Sequence, residues 1–193
     1  MNTLKNHLFP LILSLIMLIL ALLPREIEDS LIFHRQHLIA GEWWRLFSGH
    51  LVHLSWQHLL MNIAGLWLII WLAKNRLTTT EWLVALLSSS LLISLALLFF
   101  SNLDWYVGFS GVLHGFLILV AYRLIADKEF EGWWLLLFVL LKIGWEQWQG
   151  ASPELEQIID GNVIIDAHLY GAVAGFFIAP LLSQLKRVRY KSD

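Results

Sequence analysis

Residues 108–122 read GFSGVLHGFLILVAY, an apolar run that carries a serine, Ser110, close to its beginning. A second apolar run opens with DAHLYGAVAG at residues 166–175, which places His168 at nearly the same distance from its own beginning. Polar groups at membrane depth are costly and usually face a bundle interior or a water-filled cavity. A hydroxyl and an imidazole placed alike in two such runs therefore indicate a shared site.

The composition around these runs is that of a membrane protein with several spans. Of the 193 residues, 58% are hydrophobic and 15% are charged, and the mean hydropathy is +0.66. Many of the eleven tryptophans flank apolar runs, where amphipathic rings suit the membrane interface. Cysteine is absent, which excludes disulfides, thiolate nucleophiles and thiolate metal sites.

Six apolar runs predict an all-α membrane protein, a six-helix bundle formed by one domain over residues 1–193. Each run is near the roughly 20 residues that cross about 30 Å of hydrocarbon. Because a bilayer offers no water to unpaired backbone groups, such runs are expected to be helices. The predicted spans are residues 8–23, 56–73, 82–100, 105–122, 133–148 and 167–185. The first run resembles a signal peptide, but no small-x-small cleavage signature precedes Pro24, so a helix is expected.

The lysines and arginines predict that both termini are cytoplasmic, because these residues favour cytoplasmic loops. This orientation places three of them outside, Arg25, Arg35 and Arg45, while Lys142 lies within the fifth span. The other nine lie inside: Lys5, Lys74, Arg76, Arg123, Lys128, Lys186, Arg187, Arg189 and Lys191. The basic tail is expected to set the orientation and to touch anionic lipid rather than to bind nucleic acid.

With this orientation the second, fourth and sixth helices begin at the outer face, so their first turns share a depth. A serine hydroxyl is a weak nucleophile without a base, and His168 could take the proton of Ser110. His58 and Asn62 stand four residues apart on one face of the second helix. Together with the backbone N–H of Ser110, they could stabilise an oxyanion.

Glycines make a close approach of the fourth and sixth helices plausible. Gly111 and Gly115 form one small-xxx-small pair, and Gly171 and Gly175 form another. The second pair shares a helical face with His168, so the short imidazole could reach the serine.

Together these residues resemble the rhomboid family of intramembrane serine proteases, over nearly the whole chain. The motifs that carry the resemblance are Trp44-Arg45, His58-x-x-x-Asn62, Gly108-x-Ser110-Gly111 and Ala167-His168-x-x-Gly171-x-x-x-Gly175. The resemblance implies a Ser110–His168 dyad with Gly108 and Gly111 in support, and an oxyanion site of His58, Asn62 and the Ser110 amide. It also implies that the fifth helix and the loop before the sixth admit the substrate helix.

Within the family, the compact size and the sequence Tyr106-Val-Gly-Phe-Ser-Gly-Val-Leu-His114-Gly115 are most similar to the rhombosortase branch. This implies an enzyme of the bacterial inner membrane that cleaves C-terminal sorting tails, each with a Gly-rich motif, one transmembrane helix and a basic cluster. Many rhomboids have a tyrosine stacked on the catalytic histidine where this chain has His114, which is expected to stack or hydrogen-bond instead. The expected partners are transmembrane substrates with a C-terminal sorting helix and the lipid bilayer. No cofactor, metal or nucleic acid is expected.

Several polar residues have simpler explanations. His50, His53 and His58 could form a metal cluster, but no His-Glu-x-x-His motif is present, so hydrogen bonding in the outer loop is expected. Asp166 points to a different helix face from His168, which favours a dyad over a triad.

Two pairs of residues are assigned structural roles. Lys142 and Glu146, four apart in the fifth helix, are expected to pair with each other, with substrate binding as the minority alternative. Trp44-Arg45 is expected to anchor the outer loop.

Three other functions compete with proteolysis. An α/β-hydrolase needs a strand before the serine and a glycine at position 112, where this chain has Val112. A transporter would show a pair of broken helices in a repeat, and none stands out. The main alternative is a non-catalytic rhomboid-like protein that binds and escorts transmembrane helices, which predicts loss of a dyad that this chain retains.

Overall fold

The computed structural model describes the backbone of residues 3–189 and the side chains of residues 7–184. This part of the chain contains ten helices and one short antiparallel ladder. In chain order the elements are α1 (Thr3–Leu20), α2 (Arg25–Asp29), β1 (Phe33–His34), α3 (Arg35–Ile39), α4 (Arg45–Ser48), α5 (Trp56–Leu72), α6 (Thr79–Phe100), β2 (Trp105–Tyr106), α7 (Ser110–Ala126), α8 (Glu131–Gln149), α9 (Pro153–Ile159) and α10 (Ile165–Arg189).

Helix α7 is the centre around which the long helices pack. Twelve of its 17 residues are buried, as expected for a helix that is apolar on all sides. Phe116 on α7 contacts the ring of Trp82 on α6, with 5.0 Å between ring centroids, and Phe9 on α1 stacks on the same tryptophan. The first, third and fourth long helices thus share one core.

Two helices, Thr79–Phe100 and Ile165–Gln184, are long and apolar enough to cross a membrane by length and composition. His7–Leu20, Trp56–Leu72 and Ser110–Ala126 are shorter apolar helices. Helix α8 presents Leu141 and Trp148 outward, with 65% and 75% of their surface exposed. An apolar outer surface of this kind suits a lipid environment.

Several predicted boundaries differ from the structure, and two of these differences have a clear physical reason. The predicted span 105–122 opens with a strand, because Trp105–Tyr106 pairs with Phe33–His34, and the helix begins only at Ser110. Helix α1 ends at Leu20, earlier than the predicted residue 23, since the residue before Pro24 disfavours helical geometry.

The loop between α1 and α5, called the outer loop after the side on which the sequence predicts it, is held together by Arg45, which is 5% exposed. Its Nη1 donates to the carbonyls of Asp29 at 2.8 Å and Ile32 at 2.7 Å. Trp44 donates its indole N–H to the carbonyl of Ser30 at 3.0 Å. These contacts give the Trp44-Arg45 pair the anchoring role that the sequence predicts.

Arg35 ties the same loop to the end of α6. Its guanidinium donates to the carbonyls of Leu97 at 2.9 Å, Leu98 at 2.5 Å and Ser101 at 2.6 Å. The last carbonyls of a helix lack partners within the helix, and the five N–H donors of arginine can serve several of them. Arg35 therefore caps α6, a role that the sequence analysis did not assign.

Ion pairs join the helix ends at the opposite side of the bundle. Arg76 contacts Asp127 at 3.0 Å, Lys74 contacts Glu131 at 3.2 Å, and Arg123 pairs with Glu81. These basic residues belong to the group that the sequence places in the cytoplasm. Of that group, Lys5, Lys186, Arg187, Arg189 and Lys191 lie outside the side chains that the structure describes.

Candidate active site

The site is formed where the first turns of α7 and α10 meet. Gly111 and Gly115 of α7 face Gly171 and Gly175 of α10, and a Cβ atom on Gly171 would overlap the carbonyl oxygen of Gly111. The two helices therefore pack backbone against backbone, as small residues allow in membrane helices. This approach brings the beginnings of both helices within side-chain reach of each other.

Ser110 and His168 are in direct contact in this region. The Oγ of Ser110 lies 2.8 Å from Nε2 of His168, which is 4% exposed. When the hydroxyl donates to Nε2, the neutral imidazole carries its proton on Nδ1. The contact has the distance that a general base needs to activate a serine.

A carboxylate lies behind His168. Its Nδ1 is 3.0 Å from Oε2 and 3.1 Å from Oε1 of Glu146, a buried residue on α8. This carboxylate belongs to α8 and was not expected beside His168, whereas Asp166 lines a different cavity, which agrees with its expected orientation away from His168. Glu146 precedes His168 by 22 positions on another helix, so no local sequence pattern indicates the contact.

Lys142 completes this group. Its Nζ lies 2.6 Å from Oε1 of Glu146, so the predicted pairing of these two residues on α8 is confirmed. One carboxylate thus accepts from an ammonium group and from the imidazole of His168. Charge-assisted bonds of this kind are stronger than bonds between neutral groups.

His114 stacks on His168, with 4.3 Å between ring centroids and an angle of 21° between ring planes. Its Nδ1 lies 2.7 Å from the carbonyl oxygen of Ser110, to which it donates. Of the two forms of contact expected between the histidines, stacking is the one present.

His58 and Asn62 share a cavity of about 200 Å³ with Ser110 and His168. Both lie on α5, whose first turn is capped because Ser55 Oγ accepts the backbone N–H of His58 at 3.2 Å. Asn62 Nδ2 donates to the carbonyl of His58 at 3.1 Å, which leaves the second N–H of the amide for another acceptor. These two side chains therefore line the same cavity as the nucleophile.

Gly108 sets the turn that precedes Ser110. Its φ is +119°, and a Cβ atom there would lie 2.7 Å from Cε1 of His58, so glycine suits both the conformation and the space. Tyr106 donates its hydroxyl to the carbonyl of Gly108 at 2.7 Å, and burial raises the pKa of this phenol. The protonated hydroxyl therefore stabilises the turn that precedes Ser110.

The outer-loop histidines have separate environments. His50 Nε2 lies 2.9 Å from Ser94 Oγ and 3.0 Å from the carbonyl of Ser90, and burial lowers the pKa of His50 to about 4. His53 contacts the ring of His58 edge-on, with 5.0 Å between centroids. His50 therefore has the structural hydrogen bonds expected of it, whereas for His53 the expectation was wrong, because neither of its ring nitrogens has a hydrogen-bond partner among the described residues.

Within the described residues, the side chains close enough to share a metal ion are His114, Glu146 and His168, whose ligand atoms lie within 4.8 Å of one another. The carboxylate of Glu146 already accepts from Lys142, and Nε2 of His168 accepts from Ser110. A cation here would have to displace an ammonium group.

This chain is similar in sequence to known proteins over the region that contains the site. A sequence model of a family described as "Rhomboid domain" matches residues 40–185, a range that includes every side chain of the site. YdcA of Bacillus subtilis (strain 168), a rhomboid protease homologue, is 26% identical over 170 residues, which cover 84% of this chain and 79% of that protein.

Rhomboid protease GlpG of Salmonella newport (strain SL254) and of Salmonella heidelberg (strain SL476) are each 30% identical over 144 residues. The matched part is 72% of this chain and 48% of GlpG, so the chain spans about half the length of these relatives.

Proposed function

This chain belongs to the rhomboid family of intramembrane serine proteases, and we propose that it cleaves transmembrane proteins near the outer face with Ser110 as nucleophile and His168 as base. The observation that carries the proposal is the 2.8 Å contact between Ser110 Oγ and His168 Nε2. The cavity that also contains His58 and Asn62 supplies room and donors for a peptide carbonyl.

The first half of the reaction makes an acyl-enzyme. His168 Nε2 takes the hydroxyl proton as Ser110 Oγ forms a bond to the carbonyl carbon, and the π electron pair moves to the oxygen. When the tetrahedral intermediate collapses, the carbon–nitrogen bond breaks and the leaving amine takes the proton from Nε2. Water then attacks the ester by the same steps and releases Ser110.

The oxyanion formed in each half-reaction needs preorganised donors. We assign this role to the His58 ring N–H, the free N–H of the Asn62 amide and the backbone N–H of Ser110 at the beginning of α7. In serine proteases, removal of one such donor costs about a hundredfold to a thousandfold in rate.

The dyad is tested with purified protein in liposomes and a membrane-anchored substrate. Ser110→Ala and His168→Ala should each reduce cleavage by about a thousandfold or more while the helical content stays unchanged. Ser88→Ala on α6, outside the cavity, is the matched control. Cleavage by Ser110→Ala at the wild-type rate would show that the mechanism is wrong.

We further propose that the six long helices span the bacterial inner membrane, with both termini in the cytoplasm. The ion pairs of Lys74, Arg76 and Arg123 lie at the end of the bundle opposite Ser110, which supports this orientation. The site then opens toward the outer face of the membrane.

The substrates that we propose are the C-terminal sorting tails of secreted proteins, as in the rhombosortase branch. The similarity of residues 106–115 to that branch supports this, and so does the small size of the cavity, about 200 Å³. A Gly-rich segment leaves a helix at low cost and has no side chains to accommodate, so it suits a small site.

This substrate class is tested by exchanging the Gly-rich motif of a sorting tail for leucine and alanine while the tail's helix and basic cluster are kept. We expect cleavage to be lost. Equal cleavage of both tails would indicate a general rhomboid protease instead. In cells, deletion of this chain should cause a membrane-retained precursor to accumulate, and wild-type but not Ser110→Ala protein should reverse it.

The alternative of a non-catalytic protein that escorts transmembrane helices is not favoured. Such a protein has no need of the bond between Ser110 and His168. Its function would also survive Ser110→Ala, so the precursor experiment separates the two.

A further inference from the structure

We propose that Glu146 is a positioning residue that extends the dyad to a Ser110–His168–Glu146 triad. This inference rests on the proposed proteolytic function. The carboxylate would hold His168 in the tautomer that accepts from Ser110 and would stabilise the imidazolium that forms when the proton moves. Glu146 itself stays ionised and does not touch the substrate.

The geometry of His168 supports this role. Its two ring nitrogens face opposite partners, Ser110 Oγ at 2.8 Å from Nε2 and Glu146 Oε2 at 3.0 Å from Nδ1. A proton on Nδ1 is thereby bound, so Nε2 is free to accept. In serine proteases with a triad, a carboxylate performs this function at the same ring nitrogen.

Lys142 explains how a carboxylate is tolerated at this depth. An unpaired buried charge is costly, and pairing offsets much of that cost. The side chain of Glu146 is 11% exposed and that of Lys142 is 34% exposed, so the pair reaches from the buried site toward the surface. Lys142 thus keeps Glu146 ionised beside His168.

A salt bridge alone does not account for the contacts of Glu146. Lys142 binds only Oε1, whereas both carboxylate oxygens lie within 3.1 Å of His168 Nδ1. Of the described neighbours, His114 covers the ring face of His168, which leaves the Nδ1 edge to the carboxylate.

The central test is the kcat of Glu146→Gln with a membrane-anchored substrate in liposomes. The amide can donate to Nδ1 and so favour the wrong tautomer, and we expect kcat to fall by about a hundredfold to ten-thousandfold. Glu146→Asp, which keeps the charge, should recover part of the loss. Gln147→Ala, an exposed neighbour on α8, is the control and should match the wild type.

A second variant tests whether Glu146 positions His168 or only neutralises the charge of Lys142. In Lys142→Met/Glu146→Gln, neither a lone ammonium nor a carboxylate remains, so the fold carries no unpaired charge at this position. We expect kcat to stay as low as in Glu146→Gln. Recovery of the wild-type kcat would show that Glu146 only neutralises Lys142, and the proposal would be overturned.

The pH profile supplies a readout that a packing defect would not move. The titratable groups that face His168 are Glu146 and Lys142 on α8, His114 on α7 and His58 on α5. Glu146→Gln removes the one negative charge among them, so the acidic limb of the rate–pH profile should move to lower pH. An unshifted limb with an unchanged kcat would contradict the triad.

Labelling of Ser110 by a fluorophosphonate distinguishes failure of the proposed proteolytic function from failure of the triad alone. If wild-type protein neither cleaves the substrate nor reacts with the probe, the proposed function fails, and the triad fails with it. If wild-type protein does both and Glu146→Gln equals it in kcat and in pH profile, the triad alone is wrong.

Discussion

His114 shows how the bonds of a single residue decide what it can do. Its Nδ1 donates to the carbonyl oxygen of Ser110. This bond orients the ring on α7 so that one face lies against His168. A tyrosine at this position could not make the same bond to the backbone through its hydroxyl. The histidine therefore combines a local hydrogen bond with a stacking surface for the base.

We expect His114→Ala to lower kcat about two- to tenfold, because stacked aromatic pairs contribute about 0.5–1.5 kcal/mol. His114→Phe keeps the ring face and should remain near the wild-type rate. Initial rates of cleavage measure both. If His114→Phe is as slow as His114→Ala, the bond to Ser110 matters and the stacking does not.

His50 should make the protein less stable in acid. Burial lowers the pKa of His50 from 6.5 to about 4. Between these two pH values the imidazole is therefore protonated in the unfolded chain and neutral in the folded protein. The contribution of the neutral His50 to the free energy of unfolding is fully present above about pH 6.5. It is lost as the pH falls toward 4, by on the order of 3 kcal/mol. Thermal unfolding in detergent at pH 7.5 and pH 5 measures the loss.

The control is His50→Gln, whose amide can still donate toward Ser94 but does not titrate in this range. The variant should lose less stability than the wild type between the two pH values. An equal loss in both proteins would assign the acid sensitivity to other groups.

Among the elements, α7 and α10 determine the site because their backbones are in contact. The position of Ser110 relative to His168 depends on how closely Gly111 approaches Gly171, where no side chain fits. Helix α8 adds Glu146 from the other side of His168. Three helices therefore have to pack correctly before the hydrogen-bond chain exists.

Gly171→Ala should destabilise the protein by about 1–3 kcal/mol, because the new methyl group overlaps the carbonyl of Gly111. Cleavage should also decrease, since separation of the helices lengthens the distance between Ser110 and His168. Gly144→Ala on α8 is the matched control, because its methyl group meets nothing within 4 Å.

In detergent, Gly144→Ala should unfold at the wild-type temperature or slightly above it, since alanine favours helix by about 1 kcal/mol over glycine. If Gly171→Ala unfolds at the same temperature as the wild type, then α7 and α10 can move apart without loss of stability.

At the scale of the whole molecule, the two ends of the bundle differ in chemistry. The end near Ser110 carries the outer loop, in which arginine side chains bind backbone carbonyls. The other end carries ion pairs between loops, such as Arg76 with Asp127. The sequence contains no cysteine, so single cysteines can report which end faces which side of the membrane.

We expect Asn102→Cys, near the outer loop, to react with an impermeant maleimide in intact spheroplasts. Ala126→Cys, the last residue of α7, should react only after lysis. Both positions are exposed, so access depends on the membrane alone. The reverse pattern of labelling would invert the proposed orientation and place the site at the cytoplasmic face.

Most of the pairs that the sequence identified are specified by local spacing, whereas the pair of Ser110 and His168, 58 positions apart, is specified by motifs on two helices. His58 and Asn62 lie four apart on α5, and the glycine pairs of α7 and α10 follow the same spacing. The contact of Glu146 with His168, 22 residues away, and that of Arg35 with the end of α6, more than 60 residues away, were not predicted, because they join different elements and no motif carries them. No periodicity along the chain records such contacts.

The amino-acid sequence by itself determined the membrane environment, the helical class, the family and the serine and histidine of the site. These follow from hydropathy, from charge and from motifs, all of which are local properties of the chain. Only the tertiary structure decided which carboxylate lies beside the base, because helix packing and not sequence spacing determines contacts between helices. Close packing of α8 against α10 brings the carboxylate of Glu146 to Nδ1 of His168, although no pattern in the sequence relates these two residues.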